Sequence, residues 1–298
     1  MAHGCHTGRC ALTDDREHAR VSRSHWVTAT LLLALATAGG CSGEVESEPT
    51  LEAPPDASAP GIEVEYIAHA SFLLRAPDGT ELLIDPYASR VWLGYDWPEG
   101  IEPDAVLITH PHYDHDAGRY RDMPFPWDAS VAVVDEPGTF TFGDFTVTGV
   151  EGKHADPYGM EFGQLNTVMV IEAAGLRIAH IGDNGPLTPA VVEAMGRVDV
   201  LLMPADGVYH ILSEETTQEI LGSVQPRIMV PMHYRLGDLE VEEDSPSDLG
   251  DIGPWLEGRE GVQRVGSHVT TLRAGELPGE RTILVFERAP YVTGPGGR

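Results

Sequence analysis

From residue 62 onward, apolar residues recur in short alternating or continuous runs, a pattern that predicts β-strands. Residues 62–67 and 71–76 form two such runs, and a Pro-Asp-Gly-Thr turn at 77–80 leads into a third run at 81–87. Apolar runs joined by a short turn of this composition are typical of β-hairpins. Residues 104–109 are apolar except at their borders, which predicts a strand that is buried on both faces.

Further along the chain, strands alternate with a smaller number of helices. Helices are predicted at residues 186–196, which begin with proline, and at 213–224, where Ser213 is a candidate N-cap with Glu215 close behind. Residues 236–262 are acidic and rich in Pro and Gly, which predicts a surface loop with one short helix. Additional strands are predicted at residues 130–134, 139–143, 145–150, 166–173, 176–182, 198–204 and 227–233. Strands interleaved with a few helices favour a layered α/β sandwich.

The first 40 residues have the layout of a secretory signal. Four arginines precede an apolar run at 26–38, which is too short to span a bilayer comfortably because about 20 residues are needed. Small residues at 38–40 and then Cys41 resemble the lipobox of bacterial lipoproteins, although Ala38 stands where that motif usually has Leu. The resemblance implies lipidation of Cys41 and a place in the bacterial cell envelope, on the periplasmic or extracellular face. An ordinary signal peptide and an uncleaved anchor are the alternatives.

Residues 41–61 show no helical or strand periodicity and are rich in Glu, Pro, Ser and Ala. A segment of this composition favours a solvated tether between a lipid anchor at Cys41 and a single domain at residues 62–298. The membrane is therefore an expected partner, through the N-terminal anchor and not through a spanning helix.

Acidic residues greatly outnumber basic ones, with 47 Asp and Glu against 19 Lys and Arg, and the formal net charge is -28. A surface of this kind repels a phosphate backbone, so we expect no nucleic-acid partner. Solubility or adaptation to salt is the ordinary reason for such a charge, and a cationic partner is the alternative. The three cysteines, Cys5, Cys10 and Cys41, all precede the predicted domain, so a metal bound there must be held by His and carboxylates.

Four potential metal ligands lie within six positions, directly after the strand predicted at 104–109: His110, His112, Asp114 and His115. Alternate residues of an extended segment point the same way, so His110 and His112 can reach one ion. A turn toward a helix then brings Asp114 and His115 to a second ion. Imidazole and carboxylate together suit zinc, manganese or iron. A lone histidine is usually structural, but four such groups at this spacing rarely are.

The pattern HxHxDH at residues 110–115 resembles the metallo-β-lactamase superfamily, and the segments GKHADPYG, HIGDNG and VPMHY continue the match in order. The resemblance implies an α/β fold, a four-layer αββα sandwich. It also implies a two-metal site. The first metal would be bound by His110, His112 and His154, and the second by Asp114, His115 and His233. Asp183 would bridge the two metals.

The segments YIAHASFLL and LLIDPY narrow the resemblance to the ascorbate-phosphate lactonase-like and N-acyl-phosphatidylethanolamine phospholipase D-like branch, although Ala68 replaces its usual Gly. This implies that His69 is a candidate catalytic residue that lines the site; a structural histidine at the sheet edge is the alternative. The presence of Asp183 and the lack of a cysteine ligand disfavour β-lactam hydrolysis. His112 stands where the oxygen-reducing diiron branch has Glu, which disfavours redox chemistry.

The resemblance implies a dinuclear metal-dependent hydrolase that uses a hydroxide activated by two divalent ions, with zinc favoured and manganese or iron as alternatives. Asp114 would both bind metal and orient that hydroxide for attack on an ester, lactone or phosphodiester. A phospholipid-directed phosphodiesterase at the membrane surface and a non-catalytic metal-binding lipoprotein are the competing hypotheses. The expected partner is a small-molecule or lipid substrate. The loop after His233 is acidic, so a neutral or singly charged substrate is favoured if this loop forms a wall of the pocket.

We predict that Cys41 carries lipid and is the N-terminus of the mature protein. The variant Cys41→Ala should accumulate as an unprocessed precursor or leave the membrane fraction, because no thiol remains to receive the lipid. Mass spectrometry of the N-terminal peptide measures this, and Cys10→Ala is the matched control that should be processed normally. An unmodified Cys41 in the mature protein would contradict the prediction.

Overall fold

The computed structural model describes residues 59–119, 130–239 and 247–295. The predicted signal at 1–40, the lipidation site Cys41 and nearly all of the tether at 41–61 lie outside these residues. Among the described helices, none combines the length and the apolar character required to cross a bilayer.

The described chain forms fourteen strands and four α-helices. In chain order the strands are β1 (Ile62–Ala68), β2 (Ser71–Arg75), β3 (Glu81–Ile84), β4 (Ala105–Leu107), β5 (Ala132–Val134), β6 (Gly138–Phe142), β7 (Phe145–Lys153), β8 (Leu165–Ala173), β9 (Leu176–His180), β10 (Val200–Pro204), β11 (Ile228–Met232), β12 (Val262–Arg264), β13 (Val269–Leu272) and β14 (Thr282–Val285). The helices are α1 (Tyr158–Glu161), α2 (Pro189–Met195), α3 (Glu214–Val224) and α4 (Ile252–Leu256), and short 3-10 turns lie at Ala117–Arg119 and Ala274–Glu276.

The strands form two mixed sheets. The first has six strands in the order β13-β1-β2-β3-β4-β5, and the second has eight in the order β12-β14-β11-β10-β9-β8-β7-β6. In the first sheet β1, β2 and β3 pair antiparallel, whereas β3, β4 and β5 pair parallel. In the second sheet β6 to β9 pair antiparallel, and β9, β10, β11, β14 and β12 pair parallel. Strands β1, β3 and β4 therefore run in one direction within their sheet, as do β7, β9 and β11 in theirs.

The main hydrophobic core lies between the two sheets. On β1, Val64 and Tyr66 are buried while Glu63 and Glu65 are partly exposed, as the alternation of the sequence predicts. The ring of Tyr66 contacts Phe72 of β2 and, 6.0 Å away, Tyr234, which follows β11 of the opposite sheet. These aromatic contacts join the two sheets directly, so the relative position of their strand ends is set by close packing.

Helices cover the outer face of the eight-stranded sheet. A second core cluster there contains Val191 and Met195 of α2, Ile220 and Leu221 of α3, and Trp255 of α4, packed with inward residues of the central strands. Because β9, β10 and β11 are covered on both faces, their sequences read as continuous apolar runs and not as alternations. The predicted α/β sandwich fold is confirmed.

The three helices that the sequence predicts are present, and one of them begins later than predicted. Helix α3 begins where Ser213 was predicted to cap it, and the Ser213 side chain accepts a hydrogen bond from the backbone N–H of Thr216. Helix α2 begins at Pro189 and not at residue 186, because Thr188 is its N-cap and accepts from Val191 N–H. The short helix predicted within 236–262 is α4.

Candidate metal centre

The candidate site residues follow the carboxyl ends of strands from both sheets. His69, Asp85 and His110 come after β1, β3 and β4 of the first sheet, while His154, Asp183 and His233 come after β7, β9 and β11 of the second. Since these strands run in one direction within each sheet and the sheets are packed together, the six segments meet at one edge of the sandwich. This is the usual position of a site in which loops follow the strand ends.

The backbone is strained where three of these side chains leave their strands. His69, Asp85 and His233 have φ values of 57°, 43° and 60°, in the left-handed region that residues with a side chain rarely adopt. Each such residue costs on the order of 1 kcal/mol or more, and such strain is concentrated at functional sites. Gly182 also has positive φ (53°), and a Cβ atom there would collide with the hydroxyl of Thr109. Gly182 is therefore required for the backbone conformation that places Asp183 in the site.

The first group of candidate ligands is His110, His112, His154 and Asp183, whose donor atoms all lie within 4.8 Å of one another. His110 Nε2 is 3.1 Å from His112 Nδ1 and 3.7 Å from Asp183 Oδ2. His154 Nε2 is 3.6 Å from the same carboxylate oxygen. Three imidazole nitrogens and one carboxylate oxygen at these separations are a donor set suited to one tetrahedral cation.

The second group is His69, Asp114, His115 and His233, again with all donor atoms within 4.8 Å. Asp114 Oδ2 is its centre, at 3.1 Å from His69 Nε2 and 3.5 Å from both His115 Nε2 and His233 Nε2. The structure thus adds His69 to the three residues that the sequence assigned here. His69 is fully buried behind Asp114 and does not line the cavity, so its predicted contact with substrate stays a prediction.

Asp183 lies between the two groups. Its Oδ1 is 3.3 Å from His115 Nε2, while its Oδ2 is 3.2 Å from His233 Nε2 and 3.6 Å from His154 Nε2. One carboxylate is therefore within reach of histidines from both groups, which is the geometry of a bridging ligand.

Several buried atoms of the cluster have no hydrogen-bond partner among the residues that the structure describes: His115 Nε2, His154 Nε2, His233 Nε2 and Asp183 Oδ1. A buried polar atom without a partner costs about 1–3 kcal/mol, so four that converge on one space require a compensating ligand. Nitrogen and carboxylate donors aimed at a common centre suit a divalent cation such as zinc, manganese or iron. The residues present therefore fit the metal ions that the sequence pattern implies.

The charges of the cluster compensate one another when no cation is bound. Burial raises the pKa of Asp183, but the neighbouring His115 and His233 outweigh it and hold that pKa well below its ordinary value. Burial likewise lowers the pKa of His115, yet Asp183, Asp114 and Asp85 raise it well above the ordinary value, and the pKa of His233 is raised to about 9 by Asp183 and Asp114 against the effect of burial. Since a metal ligand must be an unprotonated nitrogen, cation binding releases protons from these histidines.

Asp85, which sequence analysis did not assign to the site, orients two candidate ligands. Its Oδ2 accepts a hydrogen bond from His115 Nδ1 at 2.8 Å and from Thr109 Oγ1 at 2.7 Å, and its Oδ1 accepts from Thr109 N–H. The Thr109 oxygen, having donated its proton to Asp85, is left to accept from His110 Nδ1 at 3.1 Å. Both histidines therefore turn Nε2 toward the cluster. The sequence did contain a signal for this role. Asp85 is an isolated charged residue at the end of the apolar strand in LLIDPY, and a buried charge needs partners.

The remaining histidines of the first group are oriented by local contacts. His154 Nδ1 donates to the carbonyl of Ala155 at 2.9 Å, which directs Nε2 to the cluster. His112 Nε2 donates to Gln164 Oε1 at 3.1 Å, so His112 offers Nδ1 instead. Gln164 was also not foreseen, since nothing in its sequence surroundings distinguishes it from a surface residue.

A cavity of about 360 Å³ opens onto both groups. Besides site residues it is lined by Trp92, Tyr113, Tyr158, His210, Ile211 and Asp248. Of the acidic residues in the loop after His233, Asp248 lines this cavity, Asp251 pairs with Arg235 outside it, and Glu240, Glu242, Glu243 and Asp244 lie outside the described residues. Two larger cavities, of about 530 and 640 Å³, contain none of the candidate ligands.

Comparison with known proteins agrees with this geometry. Residues 63–233 match the family model of the beta-lactamase superfamily domain. The UPF0173 protein of Pyrococcus furiosus is 30% identical over 217 residues, covering 65% of this chain and 94% of that protein. The UPF0173 metal-dependent hydrolase of Archaeoglobus fulgidus is 26% identical over 210 residues, covering 63% and 89%. A crystal structure from Thermotoga maritima, of a candidate Zn-dependent hydrolase of the metallo-β-lactamase superfamily, superposes with a TM-score of 0.56 at 28% identity, covering 76% of this chain and all of that one.

We predict that Asp85→Asn weakens zinc binding by about 10- to 100-fold while the fold is retained. The asparagine amide has the shape of the carboxylate but no charge, and its nitrogen can only donate a hydrogen bond. His115 and Thr109 therefore lose an ionic acceptor. Competition with a chromophoric chelator measures the affinity. Asp199→Asn is the matched control, because Asp199 is also buried and accepts from a backbone N–H, that of Arg177, but lies outside the site. Wild-type affinity in Asp85→Asn would contradict the assigned role.

Proposed function

The chain belongs to the metallo-β-lactamase superfamily and within it to the UPF0173 metal-dependent hydrolases, and on this basis we propose that it hydrolyses an ester, lactone or phosphodiester at a two-metal centre. The observation that carries the proposal is the position of Asp183, one carboxylate in reach of both ligand groups. When bound, the two ions supply Lewis-acid activation of water and of the scissile group.

The protein's own side chains hold and orient the reactants. Asp114, at the centre of the second group, lines the cavity, where its carboxylate can accept the proton of an attacking water. His69, 3.1 Å from Asp114 Oδ2, holds this carboxylate in place; burial and the nearby His233 lower the pKa of His69 to about 3, so it acts as a neutral hydrogen-bond donor. Tyr113 and Tyr158 line the cavity with hydroxyl groups that can donate to an oxyanion.

The cavity favours a substrate of low charge. Neither lysine nor arginine occurs among the described residues that line it, and Lys153, the only lysine of the chain, lies exposed on β7 outside that lining. Asp248 adds a negative charge to the wall. Such a wall repels a polyphosphate, so a neutral lactone or ester, or a singly charged diester, is the preferred substrate.

Zinc is the proposed metal. The first ligand group is made of three histidines and one carboxylate, a donor set that zinc binds in tetrahedral geometry. The second supplies Asp114, His115 and His233, with His69 hydrogen-bonded to Asp114. The similar protein from Thermotoga maritima is a candidate Zn-dependent hydrolase, which favours the same assignment here. Manganese and iron are the alternatives, since both accept imidazole and carboxylate ligands.

A phospholipid-directed phosphodiesterase is the second candidate function. The predicted lipid anchor at Cys41 would keep the domain at the surface of a bacterial envelope membrane, and the YIAHASFLL and LLIDPY segments resemble the phospholipase D-like branch. A purely metal-binding lipoprotein is disfavoured, because both ligand groups are complete and open onto a cavity.

We predict that the purified protein binds about two equivalents of zinc and that Asp183→Ala lowers kcat/KM by at least about 100-fold. Removal of the bridging carboxylate leaves two cations facing each other with less compensating charge. Metal analysis gives the stoichiometry, and a screen of esters, lactones, phosphodiesters and phospholipids gives the activity. Glu151→Ala is the matched control, since it removes an exposed carboxylate three residues before His154. A single equivalent of metal, or near-normal activity without Asp183, would refute the two-metal proposal.

A further inference from the structure

Four large apolar side chains beside the metal site are exposed to solvent. Tyr158 is 44% exposed, Met160 81%, Phe162 70% and Leu165 50%, all within eight consecutive residues that include α1. We call these four residues the apolar rim. Scattered apolar residues are ordinary on a protein surface, but several side by side at the mouth of a cavity are typical of a binding surface.

Tyr158 connects the apolar rim to the ligand groups. Its ring centroid lies 5.0 Å from that of His112 and 5.2 Å from that of His154, and on its other side 5.9 Å from that of Phe162. Tyr158 also lines the 360 Å³ cavity. The ring of Tyr158 therefore lies between the histidines of the first ligand group and Phe162.

The rim is held in position by the same segment that carries the ligands. Gly159 N–H donates to the carbonyl of Ala155, and a Cβ atom at Gly159 would collide with the carbonyl of His154. The backbone of Gln164 donates to Tyr158 and accepts from His154, while its side chain accepts from His112. Glycine is thus needed for the close approach of α1, and the exposure of the rim is a property of an ordered, hydrogen-bonded segment.

The apolar surface continues into the cavity. Trp92, Tyr113 and Ile211 line it together with Tyr158. The ring of Trp92 lies 6.3 Å from that of Tyr113 and 6.3 Å from that of His233 in the second ligand group. A chain of methylene groups can therefore keep apolar contact from the metal groups, past Tyr158, to Phe162 and Met160.

The charges around the rim select among possible occupants. Asp156 and Glu161 are exposed within the rim segment, and the nearby cation is Lys153, the exposed cross-strand partner of Leu165. The chain as a whole has a net charge of -28. Docking on an anionic membrane depends on a cluster of basic residues near the apolar ones, and here one lysine is outnumbered by two exposed carboxylates. A single uncharged hydrocarbon chain has no such requirement.

We infer that the substrate carries an unbranched acyl or alkyl chain, which leaves the cavity past Tyr158 and lies along Phe162 and Met160. This inference rests on the proposed function, since it extends the substrate of that same site from the reacting group to the group attached to it. The ligand groups hold the scissile ester, lactone or phosphodiester, and the rim selects for chain length.

Binding of n-alkyl hydroxamates to the zinc-loaded full-length protein tests the inference without turnover. Acetohydroxamate and octanohydroxamate share the metal-binding head and differ by six methylenes. Full burial of a methylene is worth about fourfold in affinity, and a chain lying on an open rim should gain about half of that free energy, or about twofold each. Isothermal titration calorimetry should therefore show octanohydroxamate binding about 60-fold more tightly than acetohydroxamate.

The double variant Met160→Ser/Phe162→Ser should reduce that affinity ratio to below about fivefold, because the distal methylenes lose their apolar partners. Both side chains are exposed, so circular dichroism should report an intact fold. Val133→Ser is the matched control: Val133 is 46% exposed on β5 and does not line the cavity, and the ratio should stay at the wild-type value. A wild-type ratio near one, an unchanged ratio in the double variant, or no hydroxamate binding at all would overturn the inference.

Two further measurements identify a different occupant. If wild type partitions onto phosphatidylcholine vesicles more strongly than the double variant while the hydroxamate ratio is flat, the rim docks on a lipid surface and the inference is wrong. If light scattering shows a dimer that the double variant loses, the rim is an interface between copies, and the inference is again wrong. Chain-length-dependent binding without turnover of any ester, lactone or phosphodiester would instead refute the proposed hydrolysis while leaving the chain-binding rim in place.

Discussion

The constraint on which this structure depends is the burial of two carboxylates, Asp114 and Asp183, at the edge of a sandwich core. An uncompensated charge in such a place is very costly, and here six imidazoles surround the pair. The shifted pKa values of His115, His233 and Asp183 show that, without a cation, compensation comes from protons on histidine. A metal ion and a proton are thus alternative occupants of the same electrostatic position, and the ligands are arranged so that either one neutralises the carboxylates.

The fold supplies the rigidity that this arrangement needs. Asp85 lies at the end of a buried strand and holds His115 directly and His110 through Thr109. The left-handed backbone of His69, Asp85 and His233 is unfavourable locally, and it is maintained because the strand residues directly before them, Ala68, Ile84 and Met232, are fully buried. The packing of the sheets therefore fixes the orientation of the side chains that follow the strand ends.

Much of this organisation could be predicted from the sequence, for identifiable reasons. Continuous apolar runs such as that of β10 and capped helices such as α3 depend on short-range patterns, and HxHxDH places four ligands on a few consecutive residues. Asp85 and Gln164 escaped prediction because their roles depend on partners 24 to 52 positions away in the chain, Thr109, His115 and His112, and no local pattern encodes such pairs. His69 was assigned to the site by resemblance, but its position behind Asp114 follows only from the packing of β1 against β11. The apolar rim could not be predicted, since the sequence does not show which apolar side chains are exposed.

The hydrogen bond from His233 N–H to the carbonyl of His69 joins residues 164 positions apart and closes the second ligand group between the two sheets. Neither group can form in a chain where only one sheet has folded, because His110 and His69 belong to the first sheet while His154, Asp183 and His233 belong to the second. Contacts of such long sequence separation carry a large loop-closure entropy and form late, so folding is governed by high contact order. Complete coordination therefore requires both sheets, and an ion bound earlier by HxHxDH alone would have only part of its final coordination. If the chain folds after the export that its N-terminal signal predicts, the centre would acquire its ion from the destination compartment and not from the site of synthesis.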